Sequence, residues 1–173
     1  MFSLCRLIFS IIPLFLRFCS AASNTGSEKS TAMTEKPRKA KRMAWAHLPH
    51  PTSNTIEFAG AFFPLYIIRE NRLLDFKGDK YPLGMTPGSI NYTNYEIDLL
   101  ENDMMYLFSD GYVDQFGGEE NKKFMYRRFR YLLMTINRFP VEDQKSILEE
   151  NIKTWMGNAA QVDDILVMGF KPL

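Results

Sequence analysis

From Asn54 onward, the chain consists of short apolar runs separated by turn residues, then two segments of helical period and one last apolar run. Short runs of this kind between turn residues indicate β-strands. We predict strands over residues 55–59, 65–69, 73–76, 95–100, 104–108 and 165–170. Residues 70–72 make a connection of hairpin length that contains an asparagine. The second and third strands should therefore form an antiparallel hairpin.

Between residues 125 and 156, apolar side chains recur at the spacing of an α-helix. The apolar positions of the first predicted helix are Met125, Phe129, Leu132, Leu133 and Ile136. Pro140 interrupts the pattern, and a second amphipathic helix follows it and ends at Gly157. Strands, a helix pair and a returning strand together predict an α+β layered domain.

Charged residues are distributed unevenly along the chain. Residues 1–42 hold eight Lys and Arg against two Glu, whereas residues 43–173 hold 13 basic and 18 acidic side chains, a net charge of −5. Binding to nucleic-acid phosphates requires clustered cations, so this acidic body argues against a nucleic-acid partner. Both cysteines, Cys5 and Cys19, lie near the start of the chain, so the body has neither a disulfide scaffold nor a zinc cluster.

The first part of the chain differs in composition from the rest. Residues 7–16 form an uncharged run between two arginines, typical of a secretory signal or an interfacial anchor and too short for a simple spanning helix. Membrane contact through residues 7–18 is one interpretation, and a leader foreign to the folded domain is the other. The predicted organisation is a hydrophobic leader over residues 1–22, a flexible basic linker over 23–53 and a domain over 54–173.

Acidic residues lie at the ends of two predicted strands. Asp110 comes just after the apolar run 104–108, and Asp163 and Asp164 directly precede the last run. A carboxylate held beside a low-dielectric interior needs a cationic partner or a metal ion. Oxygen ligands without His or Cys favour Mg²⁺ or Mn²⁺ over zinc. The alternative is that these aspartates cap their own turns.

Four segments carry a resemblance to a known family. In family order they are NTIEFAGAFFPLYIIR, FKGDKYPLGM, MMYLFSDGYVDQFGG with the following KKF, and QVDDILVMGF. Residues 54–173 resemble the C-terminal portion of a PPM-type (PP2C-like) metal-dependent serine/threonine protein phosphatase domain, in the SpoIIE branch. LFSDGYVDQFGG and the late VDD are the most specific of these segments, whereas FAGA or PLG alone would be weak.

The resemblance implies a partial α-β-β-α sandwich of antiparallel sheets with flanking helices and a two-metal site at one edge. In that family, the aspartate of the S-D-G motif and the first of the late D-D pair ligate one metal, and these correspond to Asp110 and Asp163. Asp164 would be a neighbouring or alternative ligand, and Gly111 would let the chain turn at the metal edge. The implied reaction is hydrolysis of phosphoserine or phosphothreonine in proteins with Mn²⁺ or Mg²⁺, without catalytic side chains beyond the metal ligands.

The family's earlier strands, which carry an aspartate that bridges the two metals, have no counterpart in residues 1–53. Those residues contain no aspartate. We therefore expect a half-formed metal site, a partly open sheet and weak or no catalysis by the chain alone. The exposed sheet edge would favour a homodimer or a partner chain, and a non-catalytic binding module or pseudophosphatase remnant is the alternative function. The resemblance implies a bacterial signalling protein of the cytoplasm, with membrane association through the leader left open.

Overall fold

Antiparallel strands make up most of the folded chain. A computed structural model describes residues 6–11, 43–47, 54–81 and 91–171. Its strands are β1 (Arg6–Ile11), β2 (Met43–His47), β3 (Thr55–Ala61), β4 (Leu65–Arg69), β5 (Arg72–Phe76), β6 (Tyr95–Asp98), β7 (Met104–Phe108), β8 (Phe116–Gly117), β9 (Lys122–Lys123) and β10 (Leu166–Lys171). Its helices are α1 (Gly111–Asp114), α2 (Tyr126–Ile136) and α3 (Val141–Met156).

The strands form two larger sheets and one small ribbon. The five-stranded sheet has the order β1-β10-β7-β4-β5, the three-stranded sheet the order β2-β3-β6, and β8 pairs with β9. Only the β1–β10 pair among these described strands is parallel. The predicted α+β architecture is confirmed. All six predicted strands are present with ends shifted by at most two residues, and both predicted helices are present.

The central strands of the five-stranded sheet are buried on both faces. In β4, Tyr66 and Ile68 belong to the core shared with α2 and α3, whereas Leu65 and Ile67 belong to the core shared with the three-stranded sheet. Successive residues of a strand point to opposite faces, so this alternation assigns each face to one neighbouring layer. The described layers are therefore helices, the five-stranded sheet and the three-stranded sheet, which is a partial sandwich.

The predicted hairpin is formed by β4 and β5. Its two connecting residues, Glu70 and Asn71, have φ angles of 47° and 61°. Positive φ at both central residues is the requirement of a two-residue hairpin turn whose twist matches that of the strands. The antiparallel register of the two strands then runs from Arg69 opposite Arg72 to Leu65 opposite Phe76.

Two described strands lie in the part of the chain before residue 54. β1 pairs with β10 and β2 pairs with β3, so parts of the regions expected to be a leader and a linker extend the sheets. Unpaired strand edges expose backbone N–H and C=O groups that an extended segment can pair with. The rest of residues 1–53 lies outside the described residues, and the boundary at 54 stays a prediction. No helix within the described ranges is long and apolar enough to span a membrane.

An ion pair between a partly exposed arginine and a buried aspartate fixes the start of β7 to the end of β4. Arg69 donates from Nε to Asp103 Oδ1 at 2.9 Å and from Nη2 to Oδ2 at 2.6 Å. The Asp103 carboxylate, which is fully buried, also accepts the Leu100 N–H at 2.9 Å. The hydrogen bond from Arg69 to Asp103 raises the pKa of the guanidinium above its ordinary value. The three hydrogen bonds to Asp103 hold the turn before β7.

Replacing Asp103 tests this contact. Asp103→Asn should lower the free energy of unfolding by about 1–3 kcal/mol, because it removes the counter-charge of Arg69 and weakens the bonds of a buried group, while the partly exposed guanidinium keeps the Asp98 carbonyl as a partner. Urea denaturation measures the change. The control Asp98→Asn alters an exposed carboxylate that accepts the Thr55 hydroxyl at 3.2 Å, and it should cost less than about 0.5 kcal/mol. Equal losses in the two variants would contradict this account.

Candidate functional site

The loops that carry the predicted metal ligands lie next to each other. In the antiparallel pair of β7 and β10, Phe108 at the end of β7 lies opposite Val167 near the start of β10. Asp110 follows β7 by two residues, and Asp163 precedes β10 by three. Because both loops extend from the same edge of the sheet, residues far apart in sequence come together there.

Ser109 joins the two loops through three hydrogen bonds. Its N–H donates to the Leu166 carbonyl oxygen at 2.9 Å, and its Oγ donates to the Asp164 carbonyl oxygen at 2.8 Å. The same Oγ accepts the Leu166 N–H at 3.0 Å. These bonds continue the strand pairing beyond Phe108 and hold the backbone of Asp164 beside the loop that carries Asp110.

Gly111 lies directly against the second loop. A Cβ added there would be 2.3 Å from the Asp164 carbonyl oxygen and 2.8 Å from its carbonyl carbon. Real side chains do not fit at such distances, and the neighbours are backbone atoms that cannot rotate away. The glycine therefore allows the close approach of the two loops, where a Cβ would collide with the Asp164 backbone.

The two aspartates are held in different ways. Asp163 Oδ1 accepts the N–H of Asp164 at 2.8 Å, and the Asp163 carbonyl accepts Gln161 Nε2 at 2.7 Å. Such local bonding is the turn-capping alternative that the sequence left open. Asp110 is the N-cap residue of α1, and its side chain makes no capping hydrogen bond to that helix. Asp163 thus caps its own turn, whereas the Asp110 side chain does not cap α1.

The two loops fit a hard divalent cation in part. Asp110 and Asp163 offer carboxylate oxygens, and Mg²⁺ is commonly bound by one or two carboxylates with water completing its shell. Over the part of the chain that the structure describes, no group of three or more His, Cys, Asp and Glu side chains could hold a metal ion. Asp110, Asp163 and Asp164 therefore do not form such a three-ligand group in the described ranges, and their carboxylates offer hard oxygen donors for part of a coordination shell at most.

A family comparison identifies the domain. The model of the family Stage II sporulation protein E (SpoIIE) matches residues 39–172. The chain belongs to the SpoIIE family. The resemblance read from the sequence is thereby confirmed, and the match to this family includes β2, which lies before residue 54.

Solved structures of the SpoIIE family and its relatives share the fold. The SiaA-PP2C domain of Pseudomonas aeruginosa is 30% identical, with a TM-score of 0.62 over 68% of this chain and 46% of that one. The phosphatase domain of SpoIIE from Bacillus subtilis is 12% identical, with a TM-score of 0.53 over 78% of this chain and 60% of that one. This chain thus spans about half the length of these domains. A search of curated proteins found no match.

Substitution of Gly111 tests the contact between the loops. Gly111→Ala should lower the free energy of unfolding by about 1–3 kcal/mol, because the added methyl group collides with the Asp164 carbonyl. It should also speed hydrogen exchange of the Leu166 amide. The control Gly157→Ala places its Cβ in open space but at a φ of 52°, so it should also cost stability through backbone strain, yet without touching the loops. Under conditions where exchange reports local opening, Leu166 exchange should therefore rise in Gly111→Ala and not in Gly157→Ala. Unaltered Leu166 exchange in Gly111→Ala would show that the loops do not touch.

Proposed function

We propose that this chain supplies the Asp110 and Asp163 side of a metal-dependent phosphoprotein phosphatase site of the SpoIIE type. The contact between the two loops carries the proposal: Ser109 bonds to both Asp164 and Leu166, and Gly111 lies against the Asp164 carbonyl. Membership of the SpoIIE family supports the reaction class, which is hydrolysis of phosphoserine or phosphothreonine in proteins. A signalling phosphatase of this kind would work in the cytoplasm.

Each residue of the site has a proposed role. Asp110 and Asp163 would hold Mn²⁺ or Mg²⁺, and Asp164 would serve as a neighbouring or alternative ligand. When bound, the cation would lower the pKa of water and neutralise charge on the phosphoryl oxygens. Ser109 and Gly111 would keep the carboxylates in place before the cation arrives, which lowers the entropy lost on binding. A second cation would require carboxylates from beyond these two loops.

The residue types of the body support direct attack by water. Both cysteines and both histidines occur before residue 54. Residues 54–173 therefore contain neither a thiol nucleophile nor an imidazole base for a Ser–His or Cys–His pair. A phosphatase built on this part of the chain would use carboxylates and a cation, as proposed.

A second candidate is a non-catalytic binding module. It is favoured by the position of β5 at the end of the strand order in the described five-stranded sheet, where one side of its backbone faces no further described strand. In that case β5, at one side of the described five-stranded sheet, would pair with a second copy or a partner chain.

Metal binding distinguishes the proposed ligands from other carboxylates. Titration with Mn²⁺, followed by the electron paramagnetic resonance of the free ion, should show saturable binding. Asp110→Asn and Asp163→Asn should each weaken this binding at least about tenfold, because each removes a charged ligand. Asp114→Asn is the matched control, since Asp114 lies in the same segment and pairs with Lys123 Nζ at 3.1 Å. Equal weakening in all three variants would contradict the assignment.

Catalysis is tested by release of phosphate from a phosphothreonine peptide in the presence of Mn²⁺. The full chain should release phosphate above the buffer blank, and Asp110→Asn should reduce the release to the blank, while Asp114→Asn retains it. Equal release by the chain and Asp110→Asn would exclude catalysis at this site and would favour the binding module.

A further inference from the structure

Gln115 connects the end of the S-D-G segment to the backbone that leads to Asp163. Its Nε2 donates to the Ala160 carbonyl at 2.9 Å, and its Oε1 accepts the Val162 N–H at 3.3 Å. The side chain is fully buried. Nε2 also donates to the Phe116 carbonyl at 3.1 Å. Both ends of the amide are thus used within the protein, and three of its bonds end on backbone atoms.

The main chain of Gln115 is itself held firmly. Its carbonyl accepts Trp155 Nε1 at 3.1 Å and the Phe124 N–H at 2.9 Å. Just beyond it, the Gly118 N–H donates to the Trp155 carbonyl at 2.8 Å. A Cβ at Gly117 would be only 1.9 Å from that same carbonyl oxygen. These contacts fix the backbone of Gln115 against the last turn of α3, so its side chain starts from a well-defined position.

The segment to which the Gln115 side chain hydrogen-bonds has no regular secondary structure. It connects the end of α3 at Met156 to the start of β10 at Leu166. Gln115 binds this segment before Asp163, and Ser109 binds it after Asp163 at the Asp164 carbonyl. Ser109 and Gln115 both lie in the short segment that carries Asp110. The backbone on each side of Asp163 is therefore hydrogen-bonded to a residue close in sequence to Asp110.

We propose that Gln115 is a positioning residue, which holds Asp163 where it can share a cation with Asp110. The inference rests on the proposed metal site. Partners that orient metal ligands without touching the metal typically change metal affinity about 10–100-fold when they are removed. Gln115 acts one step further away, through the backbone, so its effect should lie near the lower end of that range.

The protein offers a matched control in a second fully buried glutamine, Gln144. Its Oε1 accepts the Tyr106 hydroxyl at 2.6 Å, and its Nε2 donates to the Phe139 carbonyl at 2.9 Å. Burial raises the pKa of the Tyr106 phenol, so this hydroxyl remains a donor. Gln144 thus resembles Gln115 in burial and bonding, but it holds the connection between α2 and α3.

The experiment compares Gln115→Met with Gln144→Met in the full chain. Methionine keeps the volume and removes the amide, so both variants should lose stability in urea. Gln115→Met alone should lower Mn²⁺ affinity about tenfold and speed exchange of the Val162 amide in metal-free protein. Gln144→Met should leave Mn²⁺ affinity within about twofold of the parent, because its partners lie outside the two loops.

Each outcome decides the inference. Equal Mn²⁺ affinity in the parent and Gln115→Met would overturn the role of Gln115 while leaving the metal site intact. If Gln115→Met and Gln144→Met lower Mn²⁺ affinity equally, Gln115 acts only through overall stability, and the proposed positioning role is wrong. If the parent binds no Mn²⁺, the proposed function fails and this role fails with it. If Gln115→Met does not fold, Gln115→Asn, which keeps an amide one methylene shorter, should show the same selective loss of affinity, and unchanged affinity would overturn the role.

Discussion

The pairing of β7 with β10 is the contact on which the candidate site depends. Asp110 and Asp163 are separated by more than fifty residues in sequence, and this pairing brings the loops that carry them to one edge of a sheet. Ser109 extends the pairing past the end of β7 by bonding to the backbone of the second loop. Without that extension, each loop would be an ordinary surface turn with an acidic residue.

β7 is fixed at both of its ends and on both of its faces. At its start, the buried Asp103 carboxylate binds Arg69, and at its end Ser109 binds the loop before β10. Between them, Met104, Tyr106 and Phe108 pack towards the helices and Met105 packs towards the three-stranded sheet. Because this five-residue strand, about 17 Å long, is packed on both faces, the loop that carries Asp110 starts from a fixed position.

Much of the fold is predictable from local pattern. The strands at 65–69 and 104–108 are found with their observed ends, because each is an apolar run bounded by polar turn residues. The helix after Pro140 likewise follows from its period and from Gly157. These features depend on interactions within a few residues, which the sequence displays directly.

The remaining features depend on partners that are distant in sequence. Ser109 bonds to residues 55 and 57 positions away, and Gln115 to a carbonyl 45 positions away. A hydrogen bond between residues so far apart produces no pattern in the local sequence, so the roles of Ser109 and Gln115 could not be predicted from the sequence. The pairing of β1 and β2 with the sheets is missed for the same reason, because it depends on edges that only the assembled fold creates.

The central claim is that the two aspartates share one cation at the edge between β7 and β10. A crystal structure of the chain grown with Mn²⁺, with anomalous difference density collected at the manganese edge, tests it most directly. We expect one peak about 2 Å from a carboxylate oxygen of Asp110 and of Asp163, with the Ser109 bonds to the second loop intact. Carboxylates facing opposite sides of the molecule, or manganese bound only elsewhere, would contradict the account.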